Sequence, residues 1–241
     1  MIRLPRLGHN PLSGVPPVTE ALDEPDGLLA VGGDLHPLRL LDAYRRGIFP
    51  WYSEGQPILW WSPDPRLVVP TDGVRLSRRT RRALRGSGWR IVADRDFDAV
   101  VSACAEPRRD GGGTWITPAM RVGYAHLHQL GHAHSIEVLD RAGELVGGLY
   151  GVAIGRMFFG ESMFSAAAGG SKAALAGLCL RLRQWGWPWL DGQVDSAHLR
   201  VMGGMQVPRA RFVERITGLC SQPGAEGDWP ERFGEVDAEQ L

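Results

Sequence analysis

Glu161 is the side chain in this sequence whose surroundings most clearly indicate chemistry. It stands in the run Gly-Glu-Ser-Met-Phe-Ser at residues 160–165, which has no other charged residue. Burying a lone carboxylate in such a run costs several kcal/mol unless a cation or a hydrogen-bond donor meets it. We therefore expect Glu161 to bind a cationic group of a ligand. The alternative is an internal ion pair with one of the many arginines.

A second pair of polar side chains, Asp191 and Gln193, follows an apolar segment and flanks a single glycine. Ligands commonly bind at strand ends in open α/β sheets, and glycine lets a bound group approach the backbone. The pattern predicts that Asp191 and Gln193 face a ligand. The alternative of an internal ion pair applies to Asp191 as well.

Glycine and tryptophan recur in short runs that are too irregular for a packed helix or an alternating strand. A glycine beside an aromatic ring allows close backbone approach and supplies a flat apolar face, which is typical of a pocket. We expect these runs to be walls of one site. They are residues 32–34 with 47–51, residues 113–117, and residues 160–165.

A basic segment without acidic residues lies at residues 75–85. If it is helical, Arg78, Arg82 and Arg85 share one face at spacings that could follow a phosphate backbone. The alternative is a solvated helix face in an arginine-rich chain, because Lys172 is the only lysine among 27 basic residues. A formal net charge of zero favours a local basic patch over a wholly basic surface.

Other chemistries are less well supported by the sequence. Four histidines (126, 128, 132 and 134) lie close together, but a helix end expected at Gly131 divides them between two elements, so we expect no metal site. The segment around Ser162 lacks the second glycine of a nucleophile elbow, and Cys179 lies in a helical core stripe. We expect no covalent nucleophile.

The elements expected to position these residues mix helices and strands, which predicts an α+β fold. We divide the chain into a small N-terminal domain, residues 1–70, and a second domain, residues 71–241, whose tail after about residue 218 we expect to be peripheral. Pro37 near a helix start, with Leu38, Leu41 and Tyr44 on a face and Gly47 after its end, predicts one helix in the first domain. In the second domain, helix caps are expected at Thr117 and Ser171, with Met120, Tyr124 and Leu127 on one face of the first of these two helices. Strands are expected at residues 134–140, 144–152, 156–159 and 187–191.

Composition limits the possible classes of protein. The chain has 241 residues, of which 44% are hydrophobic, so it can bury a core and is not a disordered tail. Its three cysteines are widely spaced, which argues against a secreted disulfide framework. No apolar run is long enough for a signal peptide or a membrane helix. We expect a cytoplasmic protein with no membrane partner.

Taken in order along the chain, several of its motifs resemble those of the leucyl/phenylalanyl-tRNA–protein transferase family. The resemblance runs from about residue 15 to residue 212. Its motifs are Glu-Pro-Asp-Gly-Leu-Leu-Ala-Val-Gly-Gly-Asp at 24–34, Gly-Ile-Phe-Pro-Trp at 47–51, Trp-Trp-Ser-Pro-Asp-Pro-Arg at 60–66, Gly-Thr-Trp-Ile-Thr at 113–117, His-Ala-His-Ser-Ile-Glu at 132–137, Gly-Gly-Leu-Tyr-Gly at 147–151, Gly-Glu-Ser-Met-Phe-Ser at 160–165, Ser-Lys at 171–172, Asp-Gly-Gln at 191–193 and His-Leu at 198–199.

The resemblance implies an aminoacyltransferase. Such an enzyme moves leucine or phenylalanine, and methionine less readily, from aminoacyl-tRNA to proteins that begin with arginine or lysine. The product is a degradation signal of the bacterial N-end rule. The resemblance also implies a second domain of the acyl-CoA N-acyltransferase (GNAT) type after a small N-terminal domain. No metal or cofactor is implied, since an aminoacyl ester is already activated.

The resemblance also implies roles for individual residues. Gln193 would accept a hydrogen bond from the attacking amine while Asp191 orients and polarises it, and Glu161 would bind the ammonium of donor or acceptor. Residues for the apolar pocket and the terminal adenosine would be Trp51, Trp115, Leu149, Phe158 and Met163. Residues for the tRNA acceptor stem would be Arg78, Arg82 and Arg85.

The sequence departs from the family pattern after residue 165. Ala166 stands where an arginine is usual, Gly169-Gly170 replaces Asn-Ala, and Gly192 replaces a cysteine. Two other functions remain open on the residues alone. An acyl-CoA-dependent N-acetyltransferase should carry a glycine-rich pyrophosphate loop, which is not seen. An RNA-binding module would use the arginines and tryptophans without needing Asp191 and Gln193.

Overall fold

Two β-sheets form the framework in the computed structural model, which describes residues 4–106, 114–224 and 228–241. The smaller sheet has the strand order β1-β2-β4-β3, with β1 parallel to β2 and the other pairs antiparallel. Its strands are β1 Arg6–Leu7, β2 Leu28–Gly32, β3 Phe49–Pro50 and β4 Leu59–Trp61.

The larger sheet has the order β11-β5-β10-β9-β8-β7-β6-β12. Its neighbours are antiparallel except β9 and β10, which are parallel. The strands are β5 Arg66–Pro70, β6 Arg90–Ala93, β7 Ala133–Leu139, β8 Leu145–Ile154, β9 Met157–Ser165, β10 Trp189–Gln193, β11 Met205–Val207 and β12 Val236–Asp237.

Helices pack around these sheets, so the predicted α+β class is confirmed. In the described part of the chain they are α1 Pro37–Arg45, α2 Arg78–Arg85, α3 Phe97–Ala105, α4 Pro118–Gln129, α5 Gly170–Gln184, α6 Ala197–Val201, α7 Arg209–Cys220 and α8 Trp229–Phe233. None of the helices described is long and apolar enough to cross a membrane.

The parallel pair β9 and β10 opens a cleft in the larger sheet. Helix α5 connects these two strands, as a crossover between parallel strands requires. Their pairing covers only Leu190 with Phe158 and Asp191 with Phe159. Beyond that point β9 continues to Ser165 paired with β8 alone, so the two strand ends diverge. Glu161 and Gln193 lie at this divergence.

Helix starts predicted from capping residues are mostly confirmed. Pro37 begins α1, and the Thr117 hydroxyl accepts a hydrogen bond from the Met120 amide at the start of α4. The cap predicted at Ser171 is wrong, because α5 begins at Gly170 with the left-handed Gly169 as its N-cap. Ser171 instead donates its backbone N–H to the Ser165 hydroxyl over 2.8 Å.

Two further expectations about the elements need correction. Leu38 does not share the buried face of α1, being 51% exposed, because the face against the sheets runs through Leu40, Leu41 and Tyr44. Residues 160–165 are not an irregular run, since they form the second half of β9. Strand β5 lies before the proposed domain boundary at residue 70 but belongs to the larger sheet, and the division into two domains stays a prediction.

Candidate active site

A cavity of about 1020 Å³ lies where the smaller sheet meets the cleft of the larger one. Strands β3 and β4 supply one wall, β8, β9 and β10 supply the opposite wall, and Ser171 and Leu175 of α5 close one end. Of the predicted site residues, the cavity brings together Glu161, Asp191, Gln193, Trp51, Trp115, Leu149 and Met163. The sequence runs around residues 51, 115 and 160 are therefore walls of one site, as predicted; Gly113 lies outside the described residues.

Residues 32–34 do not belong to this cavity, which corrects the prediction for that run. Gly32 and Gly33 have φ angles of 86° and 80°, and Gly33 donates its N–H to Leu7 in β1. Asp34 accepts hydrogen bonds from the buried Arg39. The glycines there serve a left-handed turn beside the N-terminal strand, a use that composition alone does not distinguish from a ligand loop.

Asp191 is engaged in a fully buried ion pair with Arg66. Arg66 donates from Nε to Asp191 Oδ1 over 2.8 Å and from Nη2 to Oδ2 over 2.7 Å, so the pair is bidentate. The guanidinium lies between the rings of Phe49 and Phe212, at 4.7 and 4.8 Å from their centroids. The alternative reading of Asp191 as an internal ion pair is therefore the observed geometry. Its charge is neutralised within the protein.

Gln193 is held in an unusual backbone conformation by Asp191. Its φ is +59°, which is rare for a residue other than glycine, and a bulge interrupts the pairing of β10 with β5 between Asp191 and Gln193. The Gln193 N–H donates to Asp191 Oδ1 over 2.8 Å. Backbone strain of this kind is common at functional sites. Asp191 thus positions the Gln193 backbone and makes no bond to its side-chain amide.

The side chain of Gln193 is bonded to Glu161 instead. Gln193 Nε2 donates to Glu161 Oε1 over 2.6 Å, and the same oxygen accepts from the Tyr44 hydroxyl, also over 2.6 Å. Glu161 Oε2 accepts from Tyr124 over 2.6 Å. Glu161 therefore has three donors inside the protein and none is an arginine, which differs from the internal ion pair that the sequence left open.

Burial raises the pKa of Glu161 to about 7, against the hydrogen bonds from Tyr124, Tyr44 and Gln193, which lower it. The nearby charge of Asp191 raises it a little further. Burial and the Glu161 charge also raise the pKa values of Tyr44 and Tyr124 well above 10, so both remain neutral phenols. A carboxyl group that titrates near neutral pH is suited to proton transfer.

Four of the five residues predicted for the apolar pocket line the cavity, and their role in binding stays a prediction. Trp51 is 41% exposed and its ring meets the edge of Trp61 at a centroid distance of 5.7 Å. Trp115, Leu149 and Met163 complete this wall. Phe158 does not line the cavity: it is fully buried and packs beside Trp229, with ring centroids 5.9 Å apart. Its position in the paired part of β9 directs it into the core.

At the rim of the cavity lie His198 and the start of α5. Burial, together with the positive charge of Lys172, lowers the pKa of His198. Asp195, which also lines the rim, pairs with Arg200 over 2.7 Å. Lys172 and Asp195 thus bring opposite charges to this part of the cavity, and Asp195 is already paired.

The predicted basic helix exists as α2, and its arginines face solvent. Arg78, Arg82 and Arg85 are all exposed, whereas Leu84 is the buried residue of this helix. Among the ion pairs found in the described residues, none involves an arginine of α2. These guanidinium groups are accessible to an anionic partner.

The histidines lie on either side of the helix end, as predicted, but two of them still approach the same carboxylate. His128 and His134 lie within 4.8 Å of Asp94, measured between possible ligand atoms. These atoms are already engaged, because His134 Nδ1 bonds Asp94 Oδ2 over 2.6 Å and His128 Nδ1 bonds the Ala133 carbonyl over 2.8 Å. We interpret the group as a set of hydrogen bonds that holds α4 against the larger sheet.

Burial raises the pKa values of all three cysteines to about 12, so their thiols are poor nucleophiles.

Three residues that bond the candidate site's carboxylates were not predicted from the sequence. Tyr44 and Tyr124 were assigned to apolar helix faces, which their spacing satisfies, and Arg66 was noted only as the end of a motif. The available signal was chemical: a buried tyrosine hydroxyl needs a hydrogen-bond partner, and a buried carboxylate needs a donor. Periodicity alone does not indicate which tyrosine meets which carboxylate.

The sequence matches the models of one protein family over most of its length. Residues 68–217 match the description "Leucyl/phenylalanyl-tRNA protein transferase" and residues 33–64 match its N-terminal domain. A protein of that name from Xanthomonas axonopodis pv. citri is 55% identical over 236 residues, covering 98% of this chain and 94% of the relative. Another from Xanthomonas oryzae pv. oryzae is 59% identical over 230 residues, covering 94% and 90%.

These matches identify the class of protein as an aminoacyl-tRNA–protein transferase. The chain belongs to the leucyl/phenylalanyl-tRNA–protein transferase family and is an enzyme of the transferase class. Members of this family are named for aminoacyl transfer from tRNA to protein.

Similar solved structures include a GCN5-related N-acetyltransferase from Kribbella flavida. It is 13% identical with a TM-score of 0.36 and covers 68% of this chain and 57% of its own. L-PGS from Bacillus licheniformis has 14% identity and a TM-score of 0.38, with coverages of 63% and 50%.

Proposed function

We propose that this enzyme transfers leucine or phenylalanine, and methionine less readily, from aminoacyl-tRNA to the α-amino group of proteins that begin with arginine or lysine. The product would be a degradation signal of the N-end rule, formed in the cytoplasm. The observation that carries the proposal is one cavity that is lined both by apolar side chains and by Gln193 and Glu161. Membership of the family supports the same reaction.

The apolar wall supports the proposed choice of donor. Trp51, Trp115, Leu149 and Met163 offer flat and adaptable apolar surfaces to an unbranched leucyl, phenylalanyl or methionyl Cβ and to the terminal adenosine. A charged side chain would be buried there without a partner, and a β-branched one would add a methyl group. Discrimination by fit alone amounts to roughly 1–3 kcal/mol per methylene.

The chemistry requires positioning more than activation, because the aminoacyl ester is already reactive. Gln193 Nε2 donates to Glu161, so its carbonyl oxygen is the end of the amide left to accept a hydrogen bond from the attacking amine. In this arrangement Glu161 polarises the amide, while Asp191 and Arg66 hold the backbone that carries it. No metal or cofactor takes part in the proposed reaction.

The exposed arginines of α2 support tRNA binding. Arg78, Arg82 and Arg85 would contact phosphates of the acceptor stem. Because phosphate contacts carry little sequence information, several leucine and phenylalanine isoacceptors could serve as donors.

The proposal is tested by measuring label transfer from leucyl-, phenylalanyl-, methionyl- and valyl-tRNA to peptides that differ only in their first residue. We expect transfer to peptides that begin with arginine or lysine and not with alanine, with valine as the poorest donor. Equal labelling of the alanine peptide would refute the acceptor assignment. Absence of transfer from every tRNA would refute the reaction itself, and acyl-CoA donors would then be the next to test.

A further inference from the structure

Glu161, Tyr44 and Tyr124 form a closed ring of short oxygen contacts at the floor of the cavity. The Tyr44 hydroxyl lies 2.6 Å from Glu161 Oε1, and the Tyr124 hydroxyl lies 2.6 Å from Oε2. The two hydroxyl oxygens are also 2.6 Å apart. Each of these distances is that of a strong O–H···O hydrogen bond.

Counting protons shows that this ring changes with the charge of Glu161. Two phenols supply two protons, so an ionised Glu161 can receive both bonds but leaves the contact between Tyr44 and Tyr124 without one. A protonated Glu161 brings a third proton, and all three contacts then become hydrogen bonds around the ring. The geometry therefore provides partners for both charge states of the carboxyl group.

We propose that Glu161 takes the proton from the ammonium of the incoming acceptor, and that Tyr44 and Tyr124 are positioning residues that keep it able to do so. This role rests on the proposed function and adds to it the group that handles the proton. Gln193, as an amide, is too weak a base for that task and holds the amine in place.

The carboxylate is accessible to such an amine. Glu161 is half-buried and lines the cavity next to Gln193, whose Nε2 it binds. An amine that donates a hydrogen bond to the Gln193 carbonyl oxygen therefore lies beside Glu161. Asp191 offers no competing base, because both its oxygens are bonded to Arg66.

The proposed step balances as follows. The acceptor ammonium gives one proton to the Glu161 carboxylate and becomes a neutral amine. Its nitrogen attacks the carbonyl carbon of the aminoacyl ester, so that a C–N bond forms and the C–O bond to the ribose breaks. The ribose oxygen takes the second proton from that nitrogen, and Glu161 later releases its own proton to water.

The pKa of Glu161 suits this exchange. It is raised to about 7, close to the 7.7–8.0 of an ordinary α-amino group, so the transfer is nearly balanced. The titratable and polar groups around Glu161 are Tyr44 from α1, Tyr124 from α4, Tyr150 from β8, Asp191 and Gln193 from β10, and Cys104 from α3 at the cavity wall.

The test compares pH–rate profiles of single-turnover leucyl transfer for Tyr44→Phe and Tyr124→Phe. Each change removes one hydrogen-bond donor to the carboxylate and keeps the aromatic ring of the side chain, so the pKa of Glu161 should rise. We expect the acid limb of the pH–rate profile to shift to higher pH by roughly one unit. Rates should be roughly tenfold lower at pH 6 and little changed at pH 9. Tyr150→Phe is the matched control, because the Tyr150 hydroxyl has no partner among the described residues and its loss should leave the limb in place.

A second measurement does not depend on transfer. Infrared difference spectra between acid and alkaline buffer should show a carboxylic acid band that titrates near neutral pH and is absent in Glu161→Gln. Failure of transfer with this band present would count against the proposed function alone. Absence of the band, or an acid limb that stays in place in both tyrosine variants, would overturn the proton-accepting role.

Discussion

Arg66 and Asp191 show how a buried ion pair can serve geometry at an enzyme site. The aspartate is fully buried, receives two bonds from Arg66 and one from the Gln193 amide, and so fixes the strained backbone of Gln193. Two phenylalanine rings cover the guanidinium and prevent it from rotating away. Each of the two ions is stable in the interior only with the other as its counterion, because an unpaired buried ion is strongly disfavoured.

Replacing Asp191 by asparagine should therefore destabilise the protein by about 3–5 kcal/mol, since Arg66 would keep its charge without a counterion. The measurement is the free energy of unfolding in urea. Glu235→Gln is the matched control: its pair with Arg90 spans 3.1 Å but both side chains are more than 40% exposed, so the loss should stay below about 1 kcal/mol. Equal losses in the two variants would contradict the structural role of the buried pair.

Glu161 should make stability depend on pH. Its pKa is about 7 in the folded protein and 4.5 without burial, so between these values the native state holds a proton that the unfolded state has lost. Stability from this group therefore falls as pH rises from 4.5 to 7. The Glu161→Gln variant lacks this titration. The difference between its free energy of unfolding and that of the unmodified protein should therefore increase with pH, by at most about 3 kcal/mol. Parallel stability curves from pH 5 to pH 8 would contradict this expectation.

At the scale of elements, the site depends on a departure of strands from regular pairing. β9 and β10 separate after two residue pairs, and the bulge in β10 turns Gln193 toward Glu161. Helices α1 and α4 then bring a tyrosine each to the same carboxylate. Capping residues allowed the starts of α1 and α4 to be predicted, because Pro37 and Thr117 act locally.

The position of Phe158 and the partners of Glu161 were not predictable in this way. Both depend on where strands distant in sequence stop pairing, and local periodicity carries no information about that. Residues 158 and 161 were predicted in two separate segments, a strand at 156–159 and the run 160–165, and neither pattern indicated that the first packs in the core while the second faces the cavity.

The departure from the family pattern at Gly169 has a conformational explanation. Gly169 precedes α5 with φ of +99°, a left-handed conformation that glycine and asparagine adopt more readily than other residues. A Cβ atom there would meet no atom within 4 Å, so space is not limiting. Gly169→Asn should keep the thermal midpoint nearly unchanged, whereas Gly169→Val should cost about 1–2 kcal/mol. Equal effects of the two substitutions on unfolding would show that backbone conformation is not the constraint.

For the molecule as a whole, the cavity requires both sheets. Trp51 and Trp61 come from the smaller sheet and its connections, while Glu161 and Gln193 come from the larger one. The core is continuous between them, because Tyr44, Trp60 and Tyr150 belong to one buried cluster. The exposed arginines of α2 add a surface for an anionic partner outside the cavity. Under the proposed function, binding of the tRNA donor and transfer at the polar pair would therefore use separate parts of the chain.

The most direct test of this separation is single-turnover transfer from labelled leucyl-tRNA to an arginine-initiated peptide, measured over a range of enzyme concentrations. For Gln193→Ala we predict a maximal rate lower by on the order of 100-fold at an unchanged half-saturating concentration, because the attacking amine loses its positioning group. For Arg82→Ala we predict a higher half-saturating concentration, most marked at low salt because salt screens the lost phosphate contact, with the maximal rate preserved. An unchanged maximal rate in Gln193→Ala would contradict the account, since the chain would then act on tRNA without using the site described.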